Sequence, residues 1–290
     1  MHKAHNLADS FASGKPLFSV EFFPPKDDAA GERMLRTAER LKPHDPDFVS
    51  ITYGAGGGTQ ATTMKYARLL KEEYGFEVMP HLTCGGHTRD ELLQILGDFD
   101  EAGFRNVMAL RGDPPKGEEE FQASEGGFSH ADELVSLIRE NFPQFGIGVA
   151  GYPEKHPEAP GFEDDVRRLA HKVFCGADFV TTQLFFDNDL YFAFVERCVE
   201  AGIEVPILPG LLPVLSLAQV RRFCAMCGAS LPNALEARLE EAGEDGTKEV
   251  GADWAYEQVK GLLEGGAPGF HLYALNKSGA ATSILERLRS

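Results

Sequence analysis

The sequence predicts a single-domain α/β protein, a (β/α)8 TIM barrel, on three observations. Short β-rich apolar runs alternate with amphipathic stretches along almost the whole chain, a pattern typical of parallel strands joined by helical crossovers. Eight such units fit into 290 residues, which suits a closed barrel better than an open sheet. No linker rich in Pro, Gly or Ser divides the chain. We therefore expect one domain over residues 1–290, with residues 1–15 as a flexible N-terminal extension.

The predicted elements follow one another in barrel order. The eight strands are Leu17 to Phe23, Asp47 to Tyr53, Glu77 to Cys84, Asn106 to Arg111, Gly146 to Tyr152, Phe179 to Phe185, Val205 to Leu211 and Gly269 to Leu275. The helical period is clearest in Ala61 to Tyr74, Arg89 to Ala102, Ala131 to Asn141, Glu163 to Phe174, Asp189 to Ala201, Leu217 to Cys227, Trp254 to Glu264 and Ser278 to Leu288. Two insertions interrupt the pattern, the loop Gly112 to Phe128 and the acidic stretch Leu231 to Val250.

Composition excludes several classes of protein. A formal net charge of −17 argues against a nucleic-acid partner, because phosphate backbones need a basic face. No apolar stretch approaches the ~20 residues of a membrane span, and the N-terminus lacks the apolar segment of a secretory signal. We therefore expect a cytoplasmic protein with no membrane partner.

The sequence motifs of metal sites and of catalytic nucleophiles are incomplete or absent in this chain. Cys224 and Cys227 have the spacing of a redox or zinc pair, but no second pair accompanies them, so we interpret them as helix packing. The chain has no Walker phosphate loop, no zinc-protease motif and no nucleophile elbow. The glycine-rich run at 54–59 follows a strand and could cradle a phosphate or form a flexible βα loop. We predict no metal site.

Glu21 is the most informative single residue, because it lies within the apolar run Leu17 to Phe23. Burial disfavours the charged form of a carboxyl group, and a general acid must carry its proton near neutral pH. The alternative is that Glu21 pairs with a buried Lys or Arg, or faces solvent at the rim of a sheet. The strand alone does not decide between these interpretations.

Polar or glycine-rich residues follow nearly every predicted strand. They include Glu21, Thr52, Tyr53, His81, Arg111, Asp113, Tyr152, His156, Thr182, Gln183, His271, Tyr273 and Asn276. The carboxyl ends of the strands of such a barrel meet at one face, where its active site lies. Seven strands that all end in polar residues therefore predict one shared site rather than seven satisfied strand ends.

These same motifs resemble methylenetetrahydrofolate reductase of the bacterial, FAD-containing type. The resemblance rests on Phe18 to Pro25, Ser50 to Ala55, Pro80 to Cys84, Ala109 to Asp113, Gly151 to Ala159, Gly176 to Asp187, Pro209 to Val214 and Tyr273 to Asn276, all in order. The match covers the chain from Leu17 to its end and includes all eight predicted strands. It implies a βα barrel that holds FAD at the carboxyl ends of its strands.

The resemblance implies a two-step hydride relay that feeds methionine synthesis. NADH or NADPH reduces the flavin and leaves, and methylenetetrahydrofolate then binds in the same space and is reduced to methyltetrahydrofolate. Opening the methylene bridge needs a proton, and Glu21 matches the general acid of the family. Asp113 matches a residue between flavin and pterin that also contacts the cofactor. A homo-oligomer is also implied.

The other site residues follow from matched positions. Implied cofactor-binding residues are Thr52, Tyr53, Ala55, His81, Arg111, Gly112, Asp113, His130, Ala131, Tyr152, His156, Asp165 and Lys172. Implied substrate-binding residues are Gln183, Gln219, Phe223, Tyr273 and Lys277. Core packing is an equal alternative for Phe223, and surface exposure is an alternative for Asp165 and Lys172.

Two residues depart from the pattern of the family, and two alternative functions are compatible with the sequence. His130 stands where the family commonly has Tyr, and Lys277 stands where well-known bacterial members have Arg, which loses a bidentate fork. One rival is another FAD barrel oxidoreductase of the proline dehydrogenase type. The second is a folate- or flavin-binding subunit that a partner protein reduces. The sequence does not choose between NADH and NADPH.

Overall fold

The computed structural model describes residues 5–54, 60–114 and 121–289. Its strands are β1 (Leu17–Phe22), β2 (Phe48–Ile51), β3 (Val78–Thr83), β4 (Asn106–Leu110), β5 (Gly146–Gly151), β6 (Phe179–Thr182), β7 (Ile207–Leu208), β8 (Gly210–Leu211) and β9 (Gly269–Tyr273). Its helices are α1 (Leu7–Ala12), α2 (Asp28–Leu41), α3 (Gln60–Glu72), α4 (Arg89–Glu101), α5 (Ala131–Asn141), α6 (Phe162–Phe174), α7 (Asn188–Glu200), α8 (Leu217–Cys227), α9 (Asn233–Glu264) and α10 (Gly279–Arg289).

The strands form one parallel sheet that closes into a barrel. Their order is β7-β6-β5-β4-β3-β2-β1-β9-β8, and β7 and β8 belong to the single predicted strand Val205 to Leu211. Pro209 separates them, because proline has no backbone N–H to donate to a ladder. Its carbonyl still accepts the His271 N–H at 2.9 Å. The predicted (β/α)8 barrel is therefore confirmed, with its seventh strand split in two.

The first crossover helix, α2, is absent from the predicted helices. Its N-cap is Asp27, whose carboxylate accepts the Ala30 N–H at 2.7 Å, and Met34, Ala38 and Leu41 are buried against the sheet. The apolar spacing of four and three residues was a usable signal. Pro24 and Pro25 lie just before this helix, and they made the segment resemble a loop in the sequence.

Helix α1 closes the bottom of the barrel, so Leu7–Ala12 does not form the flexible extension that was expected for this part of the chain. Leu7 is fully buried and Phe11 is 9% exposed. Both pack on the inward side chains at the amino ends of the strands, namely Leu17, Phe48, Met79, Met108, Phe179 and Leu208. The helix has only 6 residues and shows little helical period in the sequence. Burial of its two apolar side chains holds it in place.

Asn106 attaches this helix to β4. Its Oδ1 accepts the Leu7 N–H at 2.8 Å, and its Nδ2 donates to Glu77 Oε1 at 2.9 Å and to the His5 carbonyl at 2.9 Å. We expect Asn106→Ala to lower the free energy of unfolding by about 3 kcal/mol, because a buried N–H and a desolvated carboxylate lose their partner. Urea denaturation measures this change. Asn141→Ala, which removes one part-buried hydrogen bond from an exposed side chain to the Leu137 carbonyl, should cost about 1 kcal/mol or less. Equal losses in both variants would contradict the prediction.

The acidic stretch Leu231 to Val250 is helical from Asn233 onward and forms the first part of α9. The helix breaks at Gly243, whose positive φ of 61° with ψ of −170° is a conformation that glycine tolerates. The Arg238 guanidinium lies 5.7 Å from the Trp254 ring centroid, so the two halves of α9 touch. Leu235 and Leu239 are buried in a satellite cluster over the carboxyl ends of β6 and β8. Cys224 of α8 packs in the same cluster.

Candidate active site

The barrel interior changes from apolar to polar along the strand direction. Above the apolar layer that α1 covers, the inward positions carry Ser19, Ser50, His81, Thr181 and His271, all buried. The parallel register places Ser19 beside His271 and Glu21 beside Tyr273. Because side chains alternate along a strand, these residues share one face. A polar floor therefore lies under the carboxyl ends of the strands.

A cavity of about 1400 Å³ opens above this floor. That volume exceeds the roughly 300–1,000 Å³ of a site for one drug-sized ligand. The predicted site residues that line it are Glu21, Thr52, Tyr53, His81, Arg111, Gly112, Asp113, His130, Ala131, Tyr152, His156, Asp165, Lys172, Gln183, Phe223 and Tyr273. The fold thus brings together residues that are up to about 250 positions apart in the chain.

Three predicted residues do not lie in this set. Gln219 is in the first turn of α8, where its backbone N–H points to the Ser216 hydroxyl at 3.4 Å, and it does not line the cavity. Lys277 is exposed beyond β9 and does not line it either. Ala55 lies outside the described residues. Their roles in binding stay predictions.

Glu21 is 6% exposed at the carboxyl end of β1. Its Oε2 lies 3.5 Å from His81 Nε2 and 3.6 Å from His271 Nε2. Burial lowers the pKa of His81 to about 4, despite the opposing effect of Glu21, so His81 is neutral near pH 7. Within the described ranges, no Lys or Arg nitrogen forms a salt bridge with Glu21. The alternative of a buried Lys or Arg partner is therefore wrong for this part of the chain.

Ser19 was not assigned to the site from the sequence, and His271 was grouped with the polar strand ends but was given no role. The Ser19 hydroxyl and His271 Nδ1 lie 2.7 Å apart, and His271 is 1% exposed. This hydrogen bond fixes the orientation of the imidazole ring, whose other nitrogen faces Glu21. The available signal was the two-residue period, which places His271 on the same strand face as Tyr273.

Tyr273 forms the wall next to Glu21. Its hydroxyl donates to the Thr182 carbonyl at 2.6 Å, its ring lies edge-on to His271 at 5.2 Å, and burial raises its pKa well above the ordinary value. Gly210 leaves room for this contact, because a Cβ there would overlap the Tyr273 hydroxyl and the Thr182 carbonyl. The phenol is therefore a fixed neutral wall and not a mobile acid.

Asp113 follows a sharp turn at the end of β4. Gly112 has φ of 94°, and a Cβ at this position would lie 3.1 Å from Thr83 Cβ. The turn places Asp113 on the cavity lining as an exposed carboxylate. Its negative charge contributes to the raised pKa values of Tyr152 and Arg111, so it lies near both.

Two cations lie across the barrel from Glu21. Arg111 donates from Nη1 and Nη2 to the two oxygens of Glu158 at 2.6 and 2.7 Å. Lys172 Nζ donates to the Ala150 carbonyl at 2.6 Å, and burial lowers the pKa of Lys172 to about 8, although Asp165 and Asp132 oppose this shift. The sheet order places β4 and β5 opposite β1. The side of the cavity opposite Glu21, here called the cationic side, therefore carries both cations, with Glu158 and Asp165 beside them.

Glu158 was not predicted as a site residue. Its carboxylate lines the cavity and holds the planar guanidinium of Arg111, and this hydrogen bond lowers the pKa of Glu158. The pair spans 47 positions of sequence, so no local pattern indicates it. Nearby, Asp165 Oδ2 accepts the His156 N–H at 3.0 Å, which links α6 to the loop after β5.

Several buried polar atoms of the interior have no hydrogen-bond partner among the described residues. They are His81 Nε2 and the hydroxyls of Ser50, Thr83 and Thr181. His81, Thr83 and Thr181 also line the cavity. Buried polar groups are normally satisfied, and protein or solvent usually supplies the partner. These atoms are suited to a ligand with polar groups. No group of three or more His, Cys, Asp or Glu side chains in the described ranges could hold a metal ion.

The fold and the site together define a βα-barrel enzyme whose reactants bind at the carboxyl ends of the strands. The family model for methylenetetrahydrofolate reductase matches residues 6–289. The chain belongs to this family.

Curated relatives agree with the family. The chain is 39% identical over 290 residues to the 5,10-methylenetetrahydrofolate reductase of Pectobacterium carotovorum, which covers 99% of this chain and 94% of that protein. The Escherichia coli K12 protein of the same name is 38% identical over 98% of this chain and 95% of its own length. The methylenetetrahydrofolate reductase (NADH) 1 of Arabidopsis thaliana is 39% identical over 95% of this chain. The chain spans about half of that plant protein, since the match covers 48% of it.

Solved structures agree with the fold. An uncharacterized protein from Clostridium thermocellum that binds two copies of 5-methyl-5,6,7,8-tetrahydrofolic acid has a TM-score of 0.65 at 17% identity, over 98% of this chain and 99% of that chain. An oxaloacetate acetylhydrolase has a TM-score of 0.56 at 11% identity, over 99% and 85% of the two chains. At these identities the likeness concerns the fold alone.

No helix among the described residues is long and apolar enough to cross a membrane.

Proposed function

We propose that this chain reduces 5,10-methylenetetrahydrofolate to 5-methyltetrahydrofolate with electrons from NADH or NADPH, through bound FAD. The names of the bacterial and plant relatives support the reaction, and the plant names support NADH as the first donor to test. The observation that carries the proposal is the buried carboxyl group of Glu21 across a large cavity from Arg111 and Lys172.

The cavity residues fit a flavin dinucleotide. In a chain with net charge −17, Arg111 and Lys172 place positive charge at one side of the cavity, which suits a diphosphate. The unpartnered hydroxyl of Thr83 and Nε2 of His81 suit the polar edge of a flavin ring. The residues that would hold FAD are Thr52, Tyr53, His81, Arg111, Gly112, Asp113, His130, Ala131, Tyr152, His156, Asp165 and Lys172. When bound, FAD supplies the carrier that takes hydride from nicotinamide and passes it to the folate.

Glu21 supplies the proton in this proposal. The C–N bond of the folate's methylene bridge breaks as the departing nitrogen takes the proton from the Glu21 carboxyl, which leaves an iminium on the folate and a carboxylate on Glu21. His81 Nε2 and His271 Nε2 lie 3.5 and 3.6 Å from this carboxyl group at the end of β1. Because the first half-reaction needs no such proton, Glu21 matters only for the folate half-reaction.

Other lining residues bind and orient the substrate. Gln183 follows β6, and its Oε1 accepts the Leu184 N–H at 2.9 Å, which fixes the side chain and leaves the amide group to donate to a pterin. Tyr273 and Phe223 supply flat apolar walls. Phe223 packs against the satellite hydrophobic cluster and also lines the cavity, so a binding role and core packing are compatible for it.

Asp113→Asn should lower kcat/KM for the folate about 10- to 100-fold while FAD stays bound. A carboxylate accepts hydrogen bonds from pterin N–H groups, and the amide replaces one acceptor with a donor, which forfeits about 1.5–3 kcal/mol. Steady-state kinetics and flavin content of the purified variant measure both effects. Asp164→Asn on α6, whose carboxylate pairs with Arg167, serves as control and should change neither. Release of FAD by Asp113→Asn would assign Asp113 to cofactor retention instead.

The first test is the visible absorbance of the purified protein under anaerobic conditions. Bleaching of the flavin band by NADH, and its return when methylenetetrahydrofolate is added, would support both half-reactions. A band that stays yellow with NADH and with NADPH would refute nicotinamide as the donor. A band that bleaches but does not return with the folate would refute the substrate.

A further inference from the structure

The rim between the first and last strands is joined by a side chain rather than by backbone. The register of β1 and β9 ends at the pair Glu21 and Tyr273. Two positions further along this register Phe23 would face Leu275, but Leu275 has φ of 50° and leaves the extended conformation. The side-chain amide of Asn276 replaces the neighbouring strand as hydrogen-bond partner of Phe23. Its Oδ1 accepts the Phe23 N–H at 2.8 Å, and its Nδ2 donates to the Phe23 carbonyl at 2.9 Å.

The surrounding chain depends on this amide. Pro24 and Pro25 have no N–H to donate, so no backbone donor follows Phe23 until Lys26. Asn276 also has a positive φ, 57°, which asparagine tolerates better than most residues. The Thr37 hydroxyl of α2 donates to the Asn276 carbonyl at 2.9 Å and so supports the conformation from outside the barrel.

The segment held in this way borders the cavity beside Glu21. Phe23, Pro24, Pro25 and Leu275 all line the cavity, and Phe23 is a large apolar side chain left 38% exposed. Phe23 is two positions after Glu21. A shift of this segment therefore changes the space through which a reactant approaches the carboxyl group, although it leaves the opposite, cationic side intact.

We propose that Asn276 is a positioning residue, which fixes the rim segment Phe23–Pro25 and thereby the approach of the folate to Glu21. The inference rests on the proposed function for its substrate. Its structural part, the hold of one amide on both backbone groups of Phe23, is independent of that function.

Asn276→Asp provides a pH-dependent test. A protonated Asp carries one acceptor and one O–H donor, as the amide does, whereas an ionised carboxylate places an oxygen against the Phe23 carbonyl. An Asp facing a carbonyl oxygen titrates above its ordinary value of about 3.9. We expect kcat/KM of the variant relative to wild type to be about tenfold low at pH 8, a loss of about 1.4 kcal/mol. The ratio should rise as the pH falls toward 5, while Asn276→Ala stays low at every pH.

Hydrogen exchange gives a readout that does not need activity. In Asn276→Asp the backbone amides within residues 22–26, namely those of Phe22, Phe23 and Lys26, should exchange faster than in wild type at pH 8, and this difference should shrink at pH 5. Asn141→Asp is the matched control, since the exposed Asn141 side chain makes one hydrogen bond, to the Leu137 carbonyl on its own helix. It should alter neither the kinetics nor the exchange of residues 22–26.

Two results would overturn the proposal. In the first, kcat/KM of Asn276→Asp relative to wild type is independent of pH and equals the ratio for Asn276→Ala. This result would mean that simultaneous pairing of the side chain with the N–H and the carbonyl of Phe23 has no role. Faster exchange of residues 22–26 with wild-type kcat/KM would mean that the segment does not govern the approach to Glu21. If the wild-type protein fails to reduce the folate, the proposed function fails, and the exchange experiment still decides whether Asn276 holds Phe23.

Discussion

Glu21→Gln is expected to lower reduction of methylenetetrahydrofolate about 10³-fold and to leave bleaching of the flavin by NADH at the wild-type rate. A positioned general acid contributes roughly 10²–10⁴-fold, and glutamine has nearly the same shape with no acidic proton. Glu21 is buried between His81 and His271, and because His81 is neutral near pH 7, the substitution breaks no ion pair with His81. Anaerobic stopped-flow absorbance separates the two half-reactions.

Glu77→Gln is the matched control for this variant. Glu77 is also a desolvated carboxyl group, since burial raises its pKa, but it lies at the amino end of the barrel beside Asn106. The same chemical change there should leave both half-reactions intact. Glu21→Asp keeps the acid but shortens the side chain, so it should retain more activity than Glu21→Gln. Equal losses in both half-reactions would remove Glu21 from the role of acid.

Much of the barrel and of the site could be predicted because both follow from repeating patterns. Apolar runs with the length and period of strands predict the barrel. The carboxyl ends of barrel strands meet at one face, which predicts that Glu21, Asp113 and Gln183 lie together, and all three line one cavity. These three residues are far apart in the sequence, and the barrel topology brings them close together.

The parts that could not be predicted depend on contacts between side chains on different loops. The hydrogen bond of Arg111 to Glu158 and the attachment of Phe23 to Asn276 depend on loop conformations with positive φ and on rotamers. Likewise, α1 is too short to show a period, and only the apolar barrel floor makes it stable. Gln219 and Lys277 illustrate the converse. A match of motifs transfers a residue type and its place in the chain, but it does not fix whether the side chain reaches the cavity.

The two sides of the cavity explain how one site could serve two reactants. Positive charge lies at the carboxyl ends of β4 and β5, and the acid lies across the barrel on β1. A cofactor held by its phosphates at the first side would leave the second side free for reactants that come and go. Substitutions on the two sides should therefore separate cofactor binding from folate chemistry.

Lys172→Met is expected to weaken FAD binding about 10- to 100-fold at pH 7 and to abolish the pH dependence that Lys172 confers. A charge-assisted contact with a phosphate contributes about 1.5–3 kcal/mol. Because burial lowers the pKa of Lys172 to about 8, the ammonium is mostly charged below pH 8 and becomes neutral above it. Wild-type affinity for FAD should thus fall as the pH rises from 8, continuing up to the higher pKa that a bound phosphate would impose. Methionine fills a similar volume but is neutral at every pH, so the variant should lack this step.

Fluorescence quenching of FAD, titrated into apoprotein between pH 6.5 and 9.5, measures these affinities. Lys260→Met, which removes an exposed lysine from α9, makes the same change in net charge away from the cavity and should retain wild-type affinity and the wild-type pH step. If Lys172→Met keeps the step, another group titrates and Lys172 does not contact the phosphates. Since Asp165 and Asp132 hold the pKa of Lys172 up against burial, Asp165→Asn should move the midpoint of the wild-type step to lower pH. A coupled shift of this kind distinguishes a titrating Lys172 from a general effect of pH on the fold.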